Sequence, residues 1–256
     1  MTIANFGHDE RGKYSGGKAG DQTGTEGQVR SWYDRPWDVV LRHPDPTVQA
    51  DIAKLARQAC NNKLIGYDQS QRTTFWEQLS KATSYLPKNI KTACETDCSA
   101  FVAAIVKAVG YRQKDAKLQG VSKDCWTGNL RSALKSAGFD ELKPAKYISS
   151  ADYLLPGDVL LNEAHHTAIN LTKGSKADAD GKPAEKPAEP KAGTEYRVTA
   201  NSGLNYRNGA GTNYAVIGAY PKGKVVTICA TKTAGGQKWG RAANGYWSLM
   251  AYLEKV

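Results

Sequence analysis

Between Gly174 and Gly193 the chain carries three prolines, four lysines and four acids, and no apolar residue larger than alanine. A stretch of that composition buries too little apolar surface to offset the entropy of ordering it, so it reads as a semi-extended tether. Its 20 residues span at most roughly 60 Å at about 3.1 Å per residue. The tether divides the 256-residue chain into residues 1–173, enough for one sizeable domain, and residues 194–256, enough for a small one.

Charge adds a constraint on partners. The chain has a net charge of +10, of which residues 194–256 contribute +6, from eight Lys/Arg against Glu195 and Glu254. A basic surface attracts polyanions in a salt-screened way. Nucleic acid, anionic membrane and an anionic cell wall all satisfy it. No window approaches the roughly 18 apolar residues of a membrane span, and Met1–Phe6 lacks the charged-then-apolar pattern of a signal peptide. The expectation is synthesis in the cytoplasm without a leader. The five cysteines (Cys60, Cys94, Cys98, Cys125 and Cys229) match no metal-ligand spacing and cannot all pair. No metal or cofactor is expected. Gly16-Gly17-Lys18 suggests phosphate binding, but the phosphate-loop pattern needs Ser or Thr after the lysine, and Ala19 stands there.

One stretch places a thiol where a polar turn becomes an apolar helix. From Cys98 the chain lacks Pro and Gly until Gly110, and Phe101, Val102, Ile105, Val106 and Val109 recur at helical spacing. Asp97 is the expected N-cap, which puts Cys98 at the first helical position. The positive end of the helix dipole favours a thiolate there and would move its pKa from about 8.5 toward roughly 3.5–7.5. Downstream, Leu155-Pro156-Gly157-Asp158 precedes an apolar strand, Val159–Leu161, and His165-His166-Thr167-Ala168-Ile169 starts the next.

Asp97-Cys98-Ser99-x-Phe101-Val102, then Pro156-Gly157-Asp158, then His166-Thr167-Ala168-Ile169, resembles the NlpC/P60 cysteine peptidases and the related CHAP hydrolases over roughly residues 85–172. The resemblance implies an α+β, papain-like domain with helices packed on a small antiparallel sheet, Cys98 as nucleophile and His166 as base. It implies that Tyr67, within Ile65-Gly66-Tyr67-Asp68, lines the site, as Asp97 and Ser99 beside the nucleophile would. The family usually takes a third, imidazole-orienting residue from the strand after the histidine, and here the tether follows Thr172 instead. Asn170 is roughly 13 Å along the strand from His166, too far to serve. The orienting group is therefore expected from elsewhere in the chain, with Asp21 and Gln22 of the glycine-rich N-terminal loop as candidates, or else thiol and imidazole act as a diad.

Elsewhere in residues 1–173, Asp45-Pro46-Thr47 reads as a helix start, Thr73–Ala82 as a second helix, and Asp124 as the cap of a helix running through Lys135. Cys60 and Cys125 read as structural. Trp32, Tyr33, Pro36 and Trp37 serve either as a stacking surface or as anchors for the N-terminal arm. His165 is expected to face solvent or touch only other site residues, and His8 and His43 have no functional context.

Beyond the tether, short β-rich runs are separated by turn signals. Leu204–Gly218, with Gly223–Val226 and Gly245–Ser248, resembles bacterial SH3 domains, which implies an all-β SH3-like barrel that binds the cell wall. Tyr206, Tyr214, Trp239 and Tyr246 are the expected groove residues. Together the two resemblances imply an endolysin-like peptidoglycan hydrolase of phage type, and the chain is expected to be a monomer that reaches the wall upon phage lysis or by another export route. They imply an endopeptidase cutting after D-Glu, with N-acetylmuramoyl-L-alanine amidase or a non-catalytic wall-binding protein as alternatives. Nucleic acid is not an expected partner, since no RNA-binding motif accompanies the charge.

Overall fold

The structure, a computed structural model, describes residues 1–163, 165–177, 193–207, 209–212, 214, 216–242 and 245–256. The chain forms two compact units, Met1–Lys182 and Pro183–Val256. Gly174–Ala177 belong to the packing of the first unit. Gly174 N donates to Leu154 O, Lys176 pairs with Asp152 at 2.8 Å, and Ala177 is buried. The expected tether start at residue 174 thus falls in packed chain, and most of the tether lies outside the described residues.

The first unit contains, in order, β1 (Thr2–Phe6), β2 (Gly27–Ser31), β3 (Val39–Arg42), α1 (Pro46–Asn61), β4 (Ile65–Tyr67), α2 (Thr74–Leu79) and β5 (Cys94–Thr96). There follow α3 (Cys98–Gln113), α4 (Ala116–Gln119), α5 (Thr127–Ser136), β6 (Asp140–Leu142), α6 (Ala145–Ile148), β7 (Val159–Asn162) and β8 (His166–Asn170). Six strands form one antiparallel sheet in the order β2-β1-β8-β7-β3-β6, and β4 pairs with β5 in parallel beside it. Alternating side chains bury both faces of the sheet. Phe6, Val39, Leu41, Val159, Leu161 and Ile169 join the helices in the main core. Ile3, Val40, Leu160 and Ala168 pack under Trp37, Tyr147 and Leu154 on the other side.

The helix starts follow local chemistry. Asp45 Oδ1 accepts from Thr47 N at 2.9 Å with Pro46 at the first position of α1, and Asp97 Oδ1 accepts from Ala100 N at 2.6 Å at the start of α3. Helix α3 is buried over most of its circumference, with Phe101 lodged between Phe6 and Phe75 at ring separations of 4.7 and 6.4 Å. Two expectations change. The cap of α5 is Trp126, whose N–H donates to Asn129 Oδ1, so Asp124 and Cys125 lie before that helix. The polar N-terminal stretch also holds two strands, β1 inside the sheet and β2 at its edge, because pairing there satisfies backbone groups that the composition alone assigns to water.

The Pro156-Gly157-Asp158 turn is fixed from both sides. Gly157 has φ +89°, and a Cβ there would meet the Gln49 carbonyl oxygen at 2.3 Å, so only glycine fits. Asp158 is fully buried and grips Arg42 through two bonds of 2.8 and 2.6 Å, while Leu155 N donates to its Oδ2.

The second unit is a seven-stranded antiparallel sheet. Its strands are β9 (Thr194–Val198), β10 (Leu204–Arg207), β11 (Val216–Tyr220), β12 (Val225–Ala234), β13 (Gln237–Ala242), β14 (Trp247–Leu249) and β15 (Leu253–Lys255). They lie in the order β11-β10-β14-β13-β12-β9-β15. Val226, Ile228 and Ala242 form its core with Tyr196, Tyr220, Met250 and Leu253. Of the four expected groove aromatics, Tyr214 is exposed. Trp239 is instead buried, with its indole N–H donating to Ala234 O at 3.3 Å. Tyr206 stacks between Tyr220 and Tyr246 at 4.6 and 5.3 Å. A small sheet has few large residues with which to fill its interior, so most of its aromatics pack rather than project.

Candidate active site

Cys98 occupies the first position of α3, and the backbone N–H of Thr167, the neighbour of His166 on β8, lies near enough to the thiol to favour its ionised form. Thiol and imidazole therefore meet β8 within one residue of each other. The helix dipole does not decide the thiol's state. Cys98 is 6 % exposed, and burial, with the Asp97 carboxylate beside it, pushes its pKa up to about 12. The expectation of a low-pKa thiolate is overturned because desolvation outweighs the dipole here. His166 moves the opposite way, down to about 4, through burial and then the charges of Arg35 and Arg30. At neutral pH the resting groups are a thiol and a neutral imidazole.

The imidazole is oriented by Asn5. His166 Nε2 and Asn5 Oδ1 are 2.7 Å apart, and the Tyr33 hydroxyl donates to the same Oδ1 at 3.3 Å. With that oxygen as acceptor, Nε2 carries the proton and Nδ1 is the free acceptor. Trp37 packs against the ring at 6.3 Å between centroids. Among the described residues no hydrogen bond joins the imidazole to Sγ. Asn5 comes from β1, which pairs with β8 through Ile3–Asn170 and Ala4–Ile169. Sequence reasoning missed it. The one available signal is a lone amide inside the apolar run Thr2-Ile3-Ala4-Asn5-Phe6.

The two residues expected in the orienting role have other work. Asp21 accepts from Gly24 and Thr25 N–H groups and from Lys63 Nζ at 3.1 Å, and Gln22 is held through its N–H on Glu26 Oε1. They shape the glycine-rich loop. Neither lines the cleft described below. Asp97 and Ser99 do not line it either, because both are buried in a capping network. Asp97 accepts from Ala100, Ser99 and Arg72, and Arg72 continues to the carbonyls of Asp124 and Cys125. Asn170 bonds to the Leu155 and Thr172 carbonyls, a structural role. Cys60, Cys94 and Cys125 are buried thiols whose pKa values burial raises. Among the described residues, no group of three or more His, Cys, Asp or Glu is arranged to hold a metal.

A cleft of about 440 Å³ opens beside His166. It is lined by Asn5, Tyr33, Tyr67, Gln69, His165 and His8, with Arg30, Arg35 and loop residues completing the wall. Tyr67, which the resemblance implies as a site-lining residue, is part of this wall. It is buried, its hydroxyl accepts from Gln69 Nε2 at 3.1 Å, and burial raises its pKa. His165 lies exposed at the rim. Cys98 itself does not contribute to the lining.

Two acidic side chains bolt the glycine-rich loop to the β4–β5 pair that precedes the nucleophile. Glu26 Oε2 accepts from Tyr67 N at 2.9 Å, and Glu95 Oε1 accepts from Gly20 N at 2.7 Å. Gly66 sits so close to Gly20 that a Cβ would meet its carbonyl at 2.6 Å. Burial, and then the nearby Glu26, Asp68 and Glu10, raise the Glu95 pKa to about 8 from an ordinary 4.5. The folded state thus holds a proton that the unfolded state releases above pH 4.5. Stability is full below that pH and is lost as pH rises through about 8. Urea unfolding at pH 5, 7 and 9 should show that decline in the wild type and a flatter profile in Glu95→Gln.

Asn5 carries a second expectation. Asn5→Ala should lower kcat by about 10²-fold, since the base loses its orientation. Asn5→Asp should instead shift the acid limb of the pH–rate profile upward from near pH 4, because a carboxylate at Nε2–H favours the imidazolium. A purely structural role for Asn5 would leave that limb in place.

No curated protein and no solved structure matches the chain. No described helix is long and apolar enough to cross a membrane. A family model described as an endolysin-like domain matches residues 3–177, the span running from β1, with Asn5, through β8, with His166, to the packed Ala177; the chain belongs to the endolysin-like domain family.

Proposed function

We propose that this protein is a peptidoglycan hydrolase that cuts an amide bond of the stem peptide by cysteine–histidine catalysis, with its basic second unit holding it on the wall. Family membership supports a phage-type cell-wall hydrolase in general. The observation that carries the finer reading is the Cys98–His166–Asn5 constellation. It consists of a thiol at a helix N-terminus against β8, a neutral imidazole on the adjoining residue, and an amide fixing its tautomer. A nucleophile, a base and an orienting group in those roles recur on unrelated folds, and the papain-like, NlpC/P60 assignment rests on them.

In the proposed reaction, Nδ1 of His166 takes the Sγ proton as sulfur attacks the amide carbonyl. The C–N bond then breaks, and the imidazolium gives that proton to the departing amine. Water, deprotonated by His166, hydrolyses the thioester and restores the thiol. A neutral resting pair makes proton transfer part of the attack. The SH3-like unit, tethered to the first, raises the effective enzyme concentration at an insoluble substrate, and its +6 charge suits an anionic wall.

The test is mass spectrometry of soluble fragments released from purified sacculi by the wild type and by Cys98→Ala. Fragments with a free amine within the stem peptide, from the wild type alone, fit an endopeptidase cutting after D-Glu. Free L-Ala amino termini would make the enzyme an N-acetylmuramoyl-L-alanine amidase. No release, with both proteins still pelleting with sacculi, would leave a wall-binding protein.

A further inference from the structure

The cleft beside His166 has a pronounced electrostatic character. Its lining contains Arg30, Arg35, His8 and His165 and no Asp or Glu. Arg35 is half-buried, and Arg30 is exposed with its guanidinium 4.8 Å above the Tyr33 ring. Other cations of this unit are matched, such as Arg42 with Asp158, Arg72 with Asp97 and Arg131 with Glu141. Among the described residues neither Arg30 nor Arg35 has an acidic partner. Both charges act on His166, so they bear on the base of the proposed reaction. Tyr33 ties the pair to the machinery, since its ring supports Arg30 and its hydroxyl bonds Asn5.

Two unmatched guanidinium groups beside a base are unfavourable for catalysis in themselves, because they disfavour the imidazolium formed during attack. A substrate anion placed between them would offset that field. Guanidinium matches carboxylate geometry, with paired N–H donors and a charge-assisted bond. We propose that Arg30 and Arg35 form a subsite for a free carboxylate of the stem peptide next to the bond that is cut, making them specificity-determining residues. The inference rests on the peptidoglycan-hydrolase reading and deepens it. In a γ-linked D-glutamate the α-carboxylate is free, and amidation to D-isoglutamine removes the charge while keeping the shape. The other source of the same group is the C-terminal carboxylate of the peptide.

The experiment measures kcat and KM on paired muropeptides that differ only by carboxylate or carboxamide. One pair varies at the D-glutamate α-position and the other at the peptide C-terminus. The enzymes are the wild type, Arg35→Gln, Arg30→Gln and, as a surface control, Arg57→Gln. The wild type is expected to favour the acid by about 10–100-fold in kcat/KM in one pair, mainly through KM, and that pair names the source of the carboxylate. Arg35→Gln should lose most of that preference, and its rate on the amide should rise, because one of the charges that disfavour the imidazolium is gone. Arg30→Gln should lose part of it, and Arg57→Gln should keep it. Equal rates on both members of each pair overturn the subsite, as does an undiminished preference in both cleft variants. No cleavage of the acidic muropeptides by an enzyme that digests sacculi overturns it too. An enzyme that releases nothing from sacculi or muropeptides removes the hydrolase reading and the subsite with it.

Discussion

Cys98→Ala is expected to lower fragment release from sacculi by roughly 10⁴-fold or more, as removal of a nucleophile does where nucleophile and base act as a unit. Cys98→Ser should be nearly as inactive. A hydroxyl facing an imidazole with a pKa of about 4 meets a much weaker base than serine enzymes employ. Cys60→Ala and Cys125→Ala serve as controls. Both thiols are buried and neither touches the cleft, so activity should survive in any variant that folds. The chemistry of the resting thiol gives a second readout. With its pKa near 12, the rate of Cys98 alkylation by iodoacetamide should keep climbing above pH 8, whereas a preformed thiolate would level off below pH 7. A plateau there would show that the thiol and imidazole form an ion pair at rest.

The second large effect concerns folding rather than chemistry. Asp158→Ala should destabilise the first unit by about 3–5 kcal/mol, since the buried Arg42 guanidinium would lose the carboxylate that it bonds at 2.8 and 2.6 Å. At about 2–4 °C per kcal/mol for a domain of this size, the unfolding midpoint of the first unit should fall by roughly 6–20 °C. Calorimetry on the full chain would read this. Arg42→Ala should be comparably harmful, for it strands a fully buried carboxylate. Replacing both, as in Arg42→Met with Asp158→Leu, should recover much of the loss, because the pair's own net contribution is small beside the desolvation it requires. A double variant as unstable as the worse single one would mean that the Leu155 and Tyr153 contacts of the pair carry the effect instead.

The parts of the site that could be read from the sequence are those fixed by neighbouring residues. The Asp97 cap, Cys98 at the start of α3 and the Pro-Gly-Asp turn before β7 are local patterns, and each is where the residues put it. Asn5 was out of reach because its partner is 161 positions away. Only the pairing of β1 with β8 brings them together, and strand register is not written in either strand alone. Asp21 drew attention as an acid in a glycine-rich loop, yet Lys63 and the loop's own N–H groups occupy it. The thiol's pKa was misjudged for a related reason. The helix dipole is visible in sequence, whereas the depth at which the helix start is buried is a property of the whole core. Trp239 shows the same limit in the second unit, where a period of two cannot tell an interior face from a groove.

On the proposed mechanism, that distant pairing has a consequence for when the protein becomes active. The proposed nucleophile, the proposed base and the residue proposed to aim that base enter the growing polypeptide at positions 98, 166 and 5. The strand bearing Asn5 lies between β2 and β8 and cannot be clamped on its β8 edge until residue 170 has left the ribosome. On that mechanism a nascent chain is expected to be a harmless one. So is a product cleaved within its first few residues, which would keep Cys98 and His166 while the imidazole swings without a rein. Protease treatment or fusion at the N-terminus should thus disarm this protein more effectively than changes of equal size at the far end of the chain.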